Sequence, residues 1–241
     1  MRKRKVPKKA TKVLKRPGEL ICTDVWGPVI WSAASPNGFR YCICFVDAFT
    51  HWYTLKFMQF KSEVLAKFKE FVEESGVKHL NGFDLEVGFW STLRSDNAQE
   101  YKSAEFKAFC DERSIKREFS APYSQHQNGI AESVWATIAP TAIAALIDQQ
   151  LPNSWWTMAF SWAAHLHNRL ANASNPEFKS PYEMMTGKLP ALDHLRPFGS
   201  RAVALKEKGT HGRSHKLAES GEMGFWVGFA DDQGIKAHLL Y

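Results

Sequence analysis

The chain has 241 residues, 44% of them hydrophobic and 13% aromatic, which suits one good core with a small second domain and argues against a disordered chain. No apolar run is expected to reach the ~20 residues that span a bilayer, and the N-terminus lacks the apolar stretch of a secretory signal, so a soluble intracellular protein is predicted. The net charge of +6 is concentrated in residues 1–16, MRKRKVPKKATKVLKR, which hold nine of the 31 Lys and Arg and no acid; the remaining 22 face 25 Asp and Glu.

In chain order, residues 1–17 read as a basic disordered tail. Its Lys8, Lys9 and Lys12 suit non-specific contact with a phosphate backbone, or a nuclear-import signal. ELICTDVW then predicts a strand, RYCICFVDAF a second and fully buried one, and HWYTLKFM a third. Pro36, Asn37 and Gly38 supply the turn chemistry between the first two. In KSEVLAKFKEFVEESG, Val64, Leu65, Phe68, Phe71 and Val72 recur at helical spacing, with Ser62 as N-cap and Gly76 as terminator. LEVGFWSTLRSD predicts a fourth strand ending near Asp96. A short helix in SAEFKAFCDERSI buries Phe106, Phe109 and Cys110, and KREFSA forms a fifth strand. A helix begins after Gly129, and the apolar SWWTMAFSWAAHLHNRLAN packs between other elements. From about residue 174, Pro, Gly and charge increase around short strands such as RAVAL and GFWVGF. The divisions expected are the tail, a core over 18–173 and an extension over 174–241. The order of elements predicts an α/β layer fold with a mixed five-stranded sheet.

The cysteines, Cys22, Cys42, Cys44 and Cys110, include no Cys-x-x-Cys pair and read as buried thiols. His211 and His215 have no cysteine nearby, so no zinc site is expected. His165 and His167 are two apart on a helix and face different ways. Trp155 and Trp156 suit packing better than base stacking.

Three acids carry the chemical argument. Asp24 lies mid-strand, where aspartate is disfavoured and costly to bury without a partner. Asp96 follows a strand, where Asp-Asn commonly starts a turn. Glu132 sits in a first helical turn, where the dipole favours an acid. Singly, each has an ordinary explanation. Together, a central strand, the end of its neighbour and a nearby helix can each project one carboxylate toward a common point. Such acids repel unless cations neutralise them, and hard oxygen ligands suit two Mg²⁺ or Mn²⁺ ions. A metal pair roughly 3.5–4 Å apart serves in-line displacement at phosphorus. Asp47, ending a buried strand before a turn, is assigned a structural role.

The segments ELICTDVWGPV, YCICFVDAFTHWYTLKFMQFKSEVLAKFKEF, LRSDNAQEY and PYSQHQNGIAES, with 35 residues between Asp96 and Glu132, resemble the integrase core of copia-type LTR retrotransposons. LPNSWWTMAFSWAAHLHNR, SPYEMMTGKLPALDHLRPFGS and GFWVGF extend the resemblance from about residue 18 to the C-terminus. It implies a ribonuclease-H-like fold and Asp24, Asp96 and Glu132 as a catalytic set on two divalent metals. The implied activity is 3′-end processing of element DNA and strand transfer. It further implies a loop over Tyr123–Gly129 with Gln125, Gln127 and Asn128 near the DNA end, a homo-oligomer, and action in the nucleus or a virus-like particle. The chain departs from the family at Ala98-Gln99, Gln125-His126 and Ser133, and its helix after Glu132 lacks the family's basic residues and contains Pro140, expected to cost ~3 kcal/mol mid-helix. A silent DNA-binding or protein-interaction module and a ribonuclease H are the competing expectations.

Overall fold

The computed structural model describes residues 13–77, 90–120, 129–205, 221–230 and 237–241. Strands β1 (Ile21–Trp26), β2 (Tyr41–Asp47) and β3 (Tyr53–Met58) form an antiparallel meander. Helix α1 (Val64–Val77) leads away from it. Strand β4 (Thr92–Ser95), helix α2 (Ala104–Glu112) and strand β5 (Lys116–Phe119) follow. Strands β4 and β5 run parallel to β1, which gives a mixed sheet in the order β3-β2-β1-β4-β5. Helices α3 (Gly129–Asp148), α4 (Trp156–Arg169) and α5 (Pro181–Thr186) come next, then an antiparallel sheet of β6 (Arg201–Leu205), β7 (Gly221–Ala230) and β8 (Ala237–Leu240).

Side-chain alternation divides the five-stranded sheet into two faces. Ile21, Ile43, Phe45 and Leu93 point toward α1 and α2, where Phe68, Phe71 and Phe106 meet them. Phe45 stacks on Phe71 at 4.4 Å, and Phe68 on Phe106 at 5.1 Å, between ring centroids. Cys22, Cys42, Cys44 and Val46 point the other way, onto α3 and α4. Each fully buried large apolar side chain contributes about 1.5–3 kcal/mol. Both faces of β2 are covered, which explains why YCICFVD is apolar throughout rather than alternating. All four cysteines are free and buried, and burial pushes their thiols up, to about 11 for Cys22 and Cys110. These are packing residues.

Helix α1 starts differently from the sequence expectation. Ser62 lies inside a single 3-10 turn rather than capping the helix, and the Glu63 carboxylate accepts from the Gln59 and Phe60 amides at 2.9 and 2.7 Å. A charged acceptor serves two orphan donors where the hydroxyl would serve one. Gly76 falls within the last turn rather than beyond it. At the other helix, Ser103 caps α2 through Phe106 N.

Helix α3 buries Ala131, Val134, Ile138, Ala142 and Leu146, a stripe at helical spacing. It runs unbroken across Pro140, which lies exposed beside exposed Ala136. The carbonyl that loses its proline donor thus faces water, and the buried stripe holds the helix together on both sides. The expectation about apolar runs also needs correction. By length and composition, α3 is apolar enough to cross a membrane. It passes that test because only Glu132 and the terminal Asp148 are charged among its 20 residues, yet its buried stripe belongs to the core on β1 and β2.

Helix α4 lies beside α3. Its Asn168 amide accepts from Tyr53 N at 2.8 Å and donates to Tyr53 O at 2.9 Å, fastening the outer edge of β3. Phe198 and Val227 join the same core cluster. Trp155 packs against Phe225 and Tyr241, and Trp156 against Trp26, Phe57 and Phe160, so both tryptophans are buried packing residues. His167 stacks on Tyr53 at 3.8 Å while His165 meets His194 and Phe229. The two histidines face separate surroundings.

One glycine is fixed by geometry. Gly27, at the end of β1, has φ +112°, and a Cβ there would sit 2.6 Å from the Arg40 carbonyl oxygen. That close approach brings the chain leaving β1 against the start of β2, where Val29 N donates to Arg40 O.

Candidate active site

Strand β1 carries Asp24 on the α3 face, between Cys22 and Trp26. The β1–β4 register pairs Ile21 with Leu93 and Cys22 with Arg94, an offset of 72. The same offset carried two residues further sets Asp24 level with Asp96, immediately after β4. Helix α3 packs over this part of the sheet and carries Glu132 in its first turn, exposed, beside buried Ala131. Three elements far apart in sequence therefore bring three acids to one end of the sheet.

The electrostatics record that proximity. Burial raises the Asp24 carboxyl above its usual range, and the charges of Asp96 and Glu132 raise it further. Hydrogen bonds from the Val25 backbone and the Trp135 indole oppose the shift. The Trp135 bond runs from Nε1 to Asp24 Oδ2 at 3.0 Å. Asp96 Oδ1 accepts from Ala98 N at 3.1 Å, and Asn97 Nδ2 donates to Ser120 O at 2.7 Å, tying this turn to the end of β5. Glu118, a fourth acid nearby in the sheet, is committed elsewhere. Burial would raise its carboxyl, but Arg94 at 2.9 Å and Lys116 at 3.2 Å outweigh that and hold it below the usual range.

The donor set matches hard divalent cations in kind: carboxylate oxygens with no competing thiolate or imidazole among them. As placed, however, the side chains do not close on a single point. Among the described residues, no group of three or more His, Cys, Asp and Glu is gathered to hold a metal ion. Like charges facing one another each take a nearby donor: Asp24 takes the Trp135 indole and Asp96 the Ala98 amide. Lys8, Lys9, Lys12, Gln125, Gln127, Asn128, His211 and His215 lie outside the described residues.

Trp135 is the site residue that sequence reading passed over. It lies three positions after Glu132, one helical turn along the same side of α3, and that spacing was the available signal. Asp47, by contrast, is structural as expected. Its carboxylate accepts from Gly18 N, Phe49 N and Thr50 Oγ1, and it is 2% exposed.

The sheet order, with β1 central and β4 and β5 parallel to it, is that of a ribonuclease-H-like fold. Residues 15–125 match the family described as the integrase core domain. The retrovirus-related Pol polyprotein from transposon TNT 1-94 of Nicotiana tabacum is 31% identical over 218 residues, covering 89% of this chain. That from transposon RE1 of Arabidopsis thaliana is 31% identical over 187 residues, covering 76%. The chain belongs to the integrases of copia-type retrotransposons. It spans 15% and 12% of the length of those two polyproteins.

Solved structures show the same fold. The HTLV-2 integrase catalytic core domain in complex with magnesium, in its trimeric form, aligns with a TM-score of 0.51 at 20% identity, over 70% of this chain and 97% of that one. A simian T-cell lymphotropic virus intasome in complex with PP2A regulatory subunit B56 gamma aligns with a TM-score of 0.58 at 15% identity, over 98% and 81%.

Proposed function

We propose that this chain is the catalytic core of a metal-dependent DNA strand-transfer enzyme, processing the 3′ ends of element DNA and joining them to a target. The observation that carries the reading is Asp24: a half-buried carboxylate in the central strand, level in register with Asp96, on which the charges of Asp96 and Glu132 both act. Asp24, Asp96 and Glu132 would hold two Mg²⁺ or Mn²⁺ ions, with Asp24 shared between them. When bound, such a pair activates the attacking oxygen and stabilises the leaving one. The protein's own part is positional. Strands β1 and β4 fix two carboxylates rigidly, and α3 brings the third across the sheet. The Asp96 turn is anchored through Asn97 to Ser120. Gln125, Gln127 and Asn128 would meet the DNA end, since amides donate to phosphate and read bases, while Lys8, Lys9 and Lys12 would follow the phosphate backbone. Structural neighbours described as trimeric, dimeric and an intasome support a homo-oligomer acting on DNA, and that reading would place the protein in the nucleus or in a virus-like particle.

The test is strand joining and its reversal on branched DNA with Mn²⁺. The wild-type chain should release joined strands and Glu132→Gln should not. Identical behaviour of the two would overturn the reading.

A second reading, a non-catalytic association module, is favoured by one observation. The outer face of α3 carries Ala136, Ile143, Ala144 and Ile147 with no cation, where DNA binding would call for positive charge. Calorimetry separates the two: Mn²⁺ binding that depends on Asp24 and Asp96 supports the enzyme, and its absence supports the module.

A further inference from the structure

We propose that Trp135 is a positioning residue for the metal-holding carboxylate of Asp24, acting through its indole N–H rather than through its bulk. The inference rests on the enzymatic reading above.

Three observations on different elements support it. First, the contact has good hydrogen-bond geometry, Nε1 to Oδ2 at 3.0 Å, and joins residues 111 apart in sequence. It is the only side-chain donor to Asp24 among the described residues. Second, the indole is held by an aromatic wall. Its ring centroid lies 6.4 Å from that of Trp26 and 6.5 Å from that of Phe160, and those two rings pack at 4.9 Å. Trp26 belongs to the same strand and the same face as Asp24, so the wall and the carboxylate move together. Third, Trp135 sits one turn after Glu132 on α3. One helix therefore supplies a carboxylate to the site and orients another.

The chemistry follows from lone-pair accounting. A carboxylate offers about four acceptor positions. The indole occupies one on Oδ2 and the Val25 backbone N–H another, which leaves about two for cations. Fixing the plane of Asp24 in this way removes the rotation that a cation would otherwise have to freeze. Outer partners of this kind typically govern metal affinity by about 10–100-fold.

The experiment measures Mn²⁺ binding to the full chain by electron paramagnetic resonance, with three variants. Trp135→Phe keeps an aromatic ring and loses the donor. Replacing Trp135 with benzothienylalanine keeps the shape and puts sulfur in place of N–H. Asp24→Asn removes the carboxylate itself. The expected result is Mn²⁺ affinity weakened by about 10–100-fold in both Trp135 variants. A second readout follows the indole N–H resonance that Trp135→Phe removes from the spectrum, which bound Mn²⁺ should broaden selectively. If Trp135→Phe fails to fold, the benzothienylalanine protein decides. Equal or tighter Mn²⁺ binding in the variants, with wild-type binding still dependent on Asp24, overturns this proposal and leaves the enzymatic reading standing. Failure of the wild-type chain to bind Mn²⁺ at all overturns both.

Discussion

Strand β1 carries a half-buried aspartate and strand β2 a buried one, and the two are treated in opposite ways. Asp47, at the end of β2, is surrounded by donors from its own turn and from Gly18. Asp24, in the middle of β1, receives one side-chain donor from a helix 111 residues away and faces two other acids. Burial raises both carboxyls above the usual range. The difference lies in what opposes that shift. At Asp47 the opposing hydrogen bonds come from two groups of its own turn and from the Gly18 amide, and the charge of His51 adds to them. At Asp24 the neighbouring charges work against ionisation. A saturated carboxylate builds structure, whereas a carboxylate crowded by like charges is suited to binding a cation.

The comparison breaks most sharply under mutation. Asp24→Asn should lower strand joining by at least ~100-fold, the scale of losing one well-placed electrostatic group, while leaving urea stability within about 1 kcal/mol. Asp47→Ala should do the reverse. It takes the acceptor from the Gly18 and Phe49 amides and from the Thr50 O–H in a buried turn, so a loss of about 3 kcal/mol is expected by urea denaturation. If Asp47→Ala proved neutral and Asp24→Asn unfolded the chain, the two roles would have to be exchanged.

A smaller effect concerns the helix over the Asp24 side of the sheet. Pro140→Ala restores a helical hydrogen bond at an exposed position and should raise stability by about 1–3 kcal/mol in thermal unfolding. No change would mean that α3 carries no strain at that point.

A separate effect is a slope with pH. Burial, with the charges of Arg169 and His194, pushes His165 down to about 3; burial, with the charge of His51, pushes His167 down to about 4. In the unfolded chain both titrate near 6.5. The unfolded state therefore takes up protons that the native state refuses, and stability falls as pH drops from about 6.5 toward 4 and 3. The raised carboxyls of Asp24 and Asp47 act with the opposite sign, favouring the fold as pH falls through their native values. Replacing His165 with Phe should flatten the histidine part of the acid loss in urea titrations at pH 7 and pH 4.5. An unchanged slope would place the acid sensitivity elsewhere.

Much of this architecture is legible in the sequence, because hydrophobic period and turn chemistry act locally. YCICFVD reads as a doubly covered strand and SAEFKAFCDERSI as a helix burying Phe106, Phe109 and Cys110, and both are found so. What escapes is what depends on pairing. The register that levels Asp24 with Asp96 is set by contacts between β1 and β4 across about 70 residues of chain, and no local pattern encodes it. The Trp135 bond needs a side-chain direction as well as a position. Ser62 was the stronger cap by residue type, but Glu63 reached two amides at once. At Pro140, packing along one face outweighs a propensity that speaks only for the backbone.

Asn168 has a wider consequence. By meeting both polar groups of Tyr53, a helix side chain imitates the next strand at the sheet's open border. An incoming extended segment finds that rung already taken, so growth of the sheet from one molecule to another is discouraged there.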